Sequence, residues 1–287
     1  MKLSDINIRD PFVLVCDDKY YLYGTRGPTC WDAADGFDVY VSEDMENWSE
    51  PIICFRNDGS FWADRNYWAP EVYAYGGSFY MFASFKSDSR RRGTAILRAE
   101  SPIGPFMPHS DGCITPADWE CLDGTFYVSP VGKPYMVFCH EWVQAGDGEI
   151  CAVELTADLK APAGEPFLLF RASEAAWCKT MHHSSGISGC VTDGPFMWRC
   201  GDGSLLCLWA GFSDGGYTEG VAISDNGDVT GKFTQLDPLF KDDGGHGMVF
   251  RDLTGKLWLT LHSPNEHLME RPLFRPIEDV GGNLIRK

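Results

Sequence analysis

Apolar and aromatic positions in this chain come in short runs, broken by tight polar turns. The runs are rich in Val, Phe, Tyr, Leu and Trp, and "DDK", "YGG", "VGK", "GDG" and "LTGK" separate them. Helical periodicity is weak throughout, so the pattern predicts hairpins. Five units align: "RDPFVLVCDDKYYLYGT", "APEVYAYGGSFYMFASF", "LDGTFYVSPVGKPYMVFCHEW", "TDGPFMWRCGDGSLLCLWAGF" and "GHGMVFRDLTGKLWLTLHS". Each has a polar residue, a short strand, a turn and a second strand rich in aromatics.

The polar leaders are Asp10, Glu71, Asp123, Asp193 and His246, spaced 52 to 70 residues apart. A second marker follows each leader by 30 to 33 residues, at Ser42, Ser101, Thr156, Ser224 and Glu278. A repeat of this length carrying about four strands predicts an all-β, five-bladed β-propeller. Five blades fill residues 1–287 as a single catalytic domain. Blade five is expected to close through Leu284 to Arg286, or partly through Leu3 to Ile8.

In a propeller the innermost strand of each blade lines the central channel. A residue leading that strand points into the channel mouth. Any one such Asp reads equally well as a turn cap. Several carboxylates converging on one axis repel each other and shift pKa values, which points to chemistry. Each second strand returns to the same face. Its end brings Gly24–Thr25, Ser84–Phe85, His140–Glu141–Trp142, Trp209–Gly211 and His262–Ser263 to the mouth, so Glu141 joins the cluster.

Composition narrows the partner. The chain is 44% hydrophobic and 14% aromatic, enough for a sizeable core. A formal charge of -17 argues against nucleic acid and against a basic membrane anchor. No run of about 18 apolar residues is present to span a bilayer. The 11 cysteines include no C-x-x-C pair, and several lie in apolar runs, as in "YMVFCHEW" and "LLCLW". They read as small buried hydrophobes in a reducing cytoplasm. An acidic funnel lined with aromatics suits an oligosaccharide: flat rings pack on sugar faces and carboxylates take hydroxyl hydrogen bonds. Wall candidates are Trp31, Phe61, Trp62, Trp68, Trp119, Trp142 and Trp209, with Trp68 and Trp142 foremost; Trp48 and Trp258 read as blade packing. "SRRRG" at Arg90 to Arg92 is a solvated basic loop or part of the mouth. "MHHSS", with His182 and His183, reads as a rim loop rather than a metal site.

Glycoside hydrolysis needs an acid for the leaving oxygen and a base or nucleophile on the opposite face. "IRDPF", "YWAPEV", "LDGTFY", "TDGPF" and "GGHGMVF", in this order, resemble glycoside hydrolase family 43 over essentially the whole chain. The resemblance implies an inverting glycosidase of α-L-arabinofuranosidase, β-xylosidase or arabinanase type. It assigns Asp10 as general base and Asp123 as the aspartate that tunes and orients the acid. It makes His246 the central histidine, near a water or a calcium, with no other cofactor required. Glu71, His140, Trp142 and Trp209 join Trp68 and His246 as substrate-binding candidates. One departure stands out: the family's acid is usually a Glu before Gly-Pro, and here Asp193 precedes Gly194-Pro195. Either Asp193 serves as the acid, or Glu141 does, or the propeller only binds sugar. Base and acid are expected about 6.5–9.5 Å apart. A five-bladed phosphorylase using the Arg90–Arg92 loop is a further alternative.

Overall fold

Each sequence unit folds into one four-stranded antiparallel sheet whose strands follow chain order. The computed structural model describes residues 1–286. Blade I comprises Ile8–Cys16, Lys19–Arg26, Gly36–Ser42 and Ile52–Arg56, and blade II Arg65–Tyr75, Ser78–Ser87, Arg90–Ala99 and Met107–Cys113. Blade III comprises Cys121–Val128, Pro134–His140, Glu149–Glu154 and Phe167–Arg171. Blade IV comprises Asp193–Arg199, Leu205–Ser213, Gly216–Ser224 and Phe233–Gln235, and blade V Gly245–Arg251, Leu257–Ser263, Arg271–Asp279 and Leu284–Arg286. The two-residue turns Asp17–Asp18 and Gly76–Gly77 have left-handed φ at both positions, the geometry that matches strand twist in a tight hairpin. Ser42 and Thr156, two of the repeated markers, cap turns by accepting backbone N–H groups.

Inner strands touch their neighbours around the ring, and that of blade V touches that of blade I. The outer strand of blade V is Leu284–Arg286, paired with Arg271–Asp279. Leu3–Ile8 adds no strand to it. Leu3–Asp5 is a 3-10 turn packed on blade V, held by Arg271 Nε donating to the Ser4 carbonyl at 2.8 Å. Below the mouth the channel is filled by side chains: Phe12 meets Tyr73 at 5.1 Å and Phe196 at 6.4 Å between ring centroids. Trp48 is buried against Phe274, and Trp258 packs on the same core. The cysteines are free thiols, most of them buried. Among the described residues no helix is long and apolar enough to cross a membrane.

A β-bulge recurs at the top of every inner strand. Register slips between Arg9 and Phe12, Trp68 and Glu71, Asp193 and Phe196, and Gly245 and Met248, and opposite Val137–Cys139 in blade III. The residue in left-handed conformation at the bulge is Asp10, Ala69, Asp123, Gly194 and His246, in blade order, with φ between 46° and 57°. This corrects the sequence alignment of the leaders. Glu71 lies two residues beyond the bulge, and Asp193 lies one before it. The bulge bends each strand so that the side chain there turns into the mouth.

Candidate active site

Three of the five bulges carry polar side chains, and a fourth, at Gly194, makes room for one of them. A Cβ on Gly194 would lie 2.5 Å from the His246 ring, so glycine lets the imidazole lie against blade IV. The His246 Nδ1 is 3.1 Å from Asp10 Oδ1 and 3.7 Å from Asp123 Oδ2. Asp10 Oδ2 also accepts from the Thr25 hydroxyl at 2.5 Å. Thr25 Oγ1 in turn accepts the Ala69 N–H at 2.7 Å, and Ser84 Oγ accepts that of Asp123 at 2.8 Å. The Asp10 N–H reaches His262 Nδ1 at 3.1 Å, which fixes the neutral tautomer with its proton on Nε2. Asp123 Oδ2 accepts the Gly194 N–H at 3.1 Å, and Tyr217 donates to Asp193 Oδ2 at 3.0 Å. Asp10, Asp123, Asp193, His246, Tyr217 and Trp68 all line a chamber of about 60 Å³.

The charges in this chamber differ in kind. Burial pushes the Asp10 carboxyl up, but the His246 charge and hydrogen bond, with Arg9 beside it, hold it well below the usual range. Burial pushes Asp123 up to about 7 against the His246 charge, with Asp193 adding to the rise. Asp193 is also raised, by burial first and by the Asp10 charge. His246 is pushed up to about 10: burial opposes this, and the Asp10 and Asp123 charges outweigh it. His262 falls to about 3 through burial and the Arg9 charge. The chamber therefore sets a carboxylate held in its charged form and an imidazole held in its charged form beside two carboxyls whose hold on a proton is strengthened.

Above it opens a cavity of about 1170 Å³, lined by Trp31, Trp68, Arg92, Glu141, Trp142 and Asp193 among others. Glu141 leaves the second strand of blade III as the N-cap of the helix Trp142–Ala145 and forms an ion pair with Arg92. The Arg92 guanidinium lies 4.7 Å over the Trp68 ring. Arg91 and Lys86 pair with Glu120. Arg91 and Arg92 of "SRRRG" are thus part of the mouth, each paired with a carboxylate, while Arg90 lies over the Trp62 ring outside it. His182 and His183 line the cavity from the hairpin of Met181–His182 and Ser188–Gly189, as a rim.

Several sequence candidates lie elsewhere. Trp209 is 0% exposed, packed on Trp177 at 4.8 Å, with its Nε1 donating to Gln235. A strand-end aromatic there faces into the blade because residues two apart share a face. His140 stacks on Trp119 at 4.2 Å and bonds Glu149 and Gln144, so both rings are committed away from the cavity. Phe61 and Trp62 pack around Phe85. Glu71 is buried beneath the chamber, accepting from Tyr73, and burial pushes it up to about 7. Sequence reasoning missed Tyr217, and it brought Arg92 and Thr25 toward the mouth without giving either a role. Only the polar character of the second-strand ends signalled the last. For the calcium that the resemblance implies near His246, no group of three or more His, Cys, Asp or Glu side chains among the described residues is placed to hold a metal ion directly. The His246 Nδ1 is engaged by Asp10.

The profile of glycosyl hydrolases family 43 matches residues 4–278. A curated relative, the extracellular exo-alpha-(1->5)-L-arabinofuranosidase of Cellvibrio japonicus, is 25% identical over 277 residues, covering 90% of this chain and 74% of that one. Among solved structures, the endo-arabinase from Bacteroides thetaiotaomicron superimposes with TM-score 0.92 at 42% identity, covering 99% of this chain and 98% of that one. An endo-1,4-beta-xylanase from the same organism shares the fold, with TM-score 0.77 at 22% identity over 98% of this chain and 94% of that one. The Cellvibrio relative is named extracellular, so the cytoplasmic home expected from the cysteines finds no support there.

Proposed function

Since the chain belongs to glycosyl hydrolases family 43 and is a glycoside hydrolase, we propose that it cleaves arabinose-containing oligosaccharides or polysaccharides with inversion. Xylose-containing chains are the second substrate class. The arabinose preference rests on the names of the Cellvibrio and Bacteroides relatives. The reading of the mechanism rests on one observation above all: Asp10, Asp123, Asp193 and His246 meet in one small chamber at the foot of an open cavity.

Asp10, held ionised by His246, takes a proton from a water as that water attacks the anomeric carbon. The chamber of about 60 Å³ has room for such a water, whose share of liquid volume is about 30 Å³. Asp193 gives its proton to the leaving oxygen. Its burial keeps that proton available, as a general acid requires. Asp123 accepts the Gly194 N–H beside the acid and is electrostatically linked to Asp193, which fits it to orient and tune that acid. Glu141 fits the acid role less well, because an ion pair with a guanidinium favours the charged form of a carboxyl. Trp68 and Trp142 line the cavity in which sugar rings would pack, with Arg92 over one face of Trp68 and Trp142 itself buried. Transfer to phosphate fits less well than transfer to water, since Lys86, Arg91 and Arg92 are already paired with Glu120 and Glu141.

The test is the product anomer seen by NMR early in hydrolysis of an arabinan oligosaccharide, without added phosphate. Inverted arabinose product supports the reading. Retention, a need for phosphate, or binding without cleavage contradicts it.

A further inference from the structure

The residue after each left-handed bulge follows a rule with one telling exception. In blades I, II and IV it is Pro11, Pro70 and Pro195, which have no N–H to satisfy. In blades III and V it is Gly124 and Gly247. Each of these N–H groups is taken by the third strand of the preceding blade. Thr94 Oγ1 accepts that of Gly124 at 3.1 Å, and Glu219 Oε2 accepts that of Gly247 at 2.9 Å. Thr94 and Glu219 hold equivalent places, opposite Ser84 and Ala210. At Gly124 a Cβ would lie 2.6 Å from Thr94 Cγ2, too close to fit; at Gly247 it would be tight, 3.0 Å from Leu259 Cδ1 and the Thr260 carbonyl and 3.1 Å from Glu219 Cδ.

A threonine does this task at blade II, whereas blade IV uses a glutamate. Glu219 is 0% exposed, and its Oε1 has no hydrogen-bond partner. A buried polar atom left unpaired costs stability and calls for a reason. The turn that Glu219 holds is the one that presents His246 to Asp10 and Asp123. Glu219 does not line the cavity, so it acts through that turn.

We propose that Glu219 is a positioning residue for the reaction centre: by holding the Gly247 N–H it fixes the left-handed turn at His246, and with it the imidazole that orients Asp10 and Asp123. This rests on the roles proposed above for Asp10 and Asp123.

Glu219→Ala removes the acceptor, and Glu219→Gln keeps an oxygen in its place. With an aryl arabinofuranoside, Glu219→Ala lowers kcat by about 10²-fold, the scale of a displaced catalytic group. KM stays within about twofold, since no substrate contact is lost. Glu219→Gln recovers most of kcat. Near-UV circular dichroism and thermal melting verify that both variants are folded. Wild-type kcat in folded Glu219→Ala, or an equal loss in Glu219→Gln, overturns the proposal. So does a loss that only follows the unfolded fraction. Asp10→Asn is measured alongside: if it is inactive while Glu219→Ala is normal, only this inference fails. If Asp10→Asn is fully active, the functional reading falls and this inference with it.

Discussion

The inner chamber and the outer cavity both gather charged side chains, yet they treat charge in opposite ways. In the chamber, Asp10, Asp123 and His246 are nearly sealed from solvent, Asp193 is half-buried where the chamber meets the cavity, and the four shift one another's protonation. In the cavity, Glu141 pairs with Arg92, and Glu120 with both Arg91 and Lys86. Matched ion pairs stay ionised and hold shape. Crowded carboxyls sharing one imidazolium favour one another's protonated form. The difference separates two carboxyls that look alike in the sequence. Asp193 sits where burial strengthens its hold on a proton, and Glu141 sits beside a guanidinium that favours its charged form.

Breaking the chamber has the largest expected effect. Asp10→Asn removes the base and should lower kcat by about 10²–10⁴-fold on every substrate, whatever the leaving group. Activity near wild type would dissolve the distinction between the two regions. Next comes pH. The Asp123–Asp193 pair is raised by burial, so the acid form is lost as pH rises and activity declines on the alkaline side. Asp10 is held low, so its protonation limits activity only far on the acid side. In Asp193→Asn the alkaline decline should vanish with a good leaving group; its persistence would assign it to another group. Breaking the cavity should cost less: Arg92→Met leaves Glu141 unpaired and should raise KM several-fold more than it lowers kcat. A selective kcat loss would move the chemistry outward. Trp209→Ala should affect neither region. It should destabilise the fold by about 3–5 kcal/mol in chemical denaturation while the folded enzyme keeps its KM. A large KM rise would return Trp209 to the sugar site.

The propeller was legible because hairpin signals such as "DDK" and "YGG" repeat and their residues suit two-residue turns. Asp10, Asp123 and His246 were legible for a geometric reason: in their blades the polar residue is the bulge residue itself. In blades II and IV the bulge falls on Ala69 and Gly194, which carry no polar flag, so the nearest carboxylates were aligned in their place. That moved Glu71 into the ring, although it lies under it. The cavity was less legible, since Arg92, Glu141 and the rim hairpin meet only across blades. Trp209 and His140 show the same limit. A strand end tells that a residue is near the mouth, while the blade's pleat decides which way it faces.

The most direct test of the claim that the chamber, and not the cavity, holds the acid compares Asp193→Asn with Glu141→Gln on paired substrates. One aryl arabinofuranoside carries a good leaving group and one a poor one, because only the poor one needs the proton. The account predicts that Asp193→Asn loses about 10²–10⁴-fold on the poor leaving group and far less on the good one, while Glu141→Gln affects both alike. The reverse pattern, a selective loss in Glu141→Gln with Asp193→Asn indifferent to the leaving group, would contradict it.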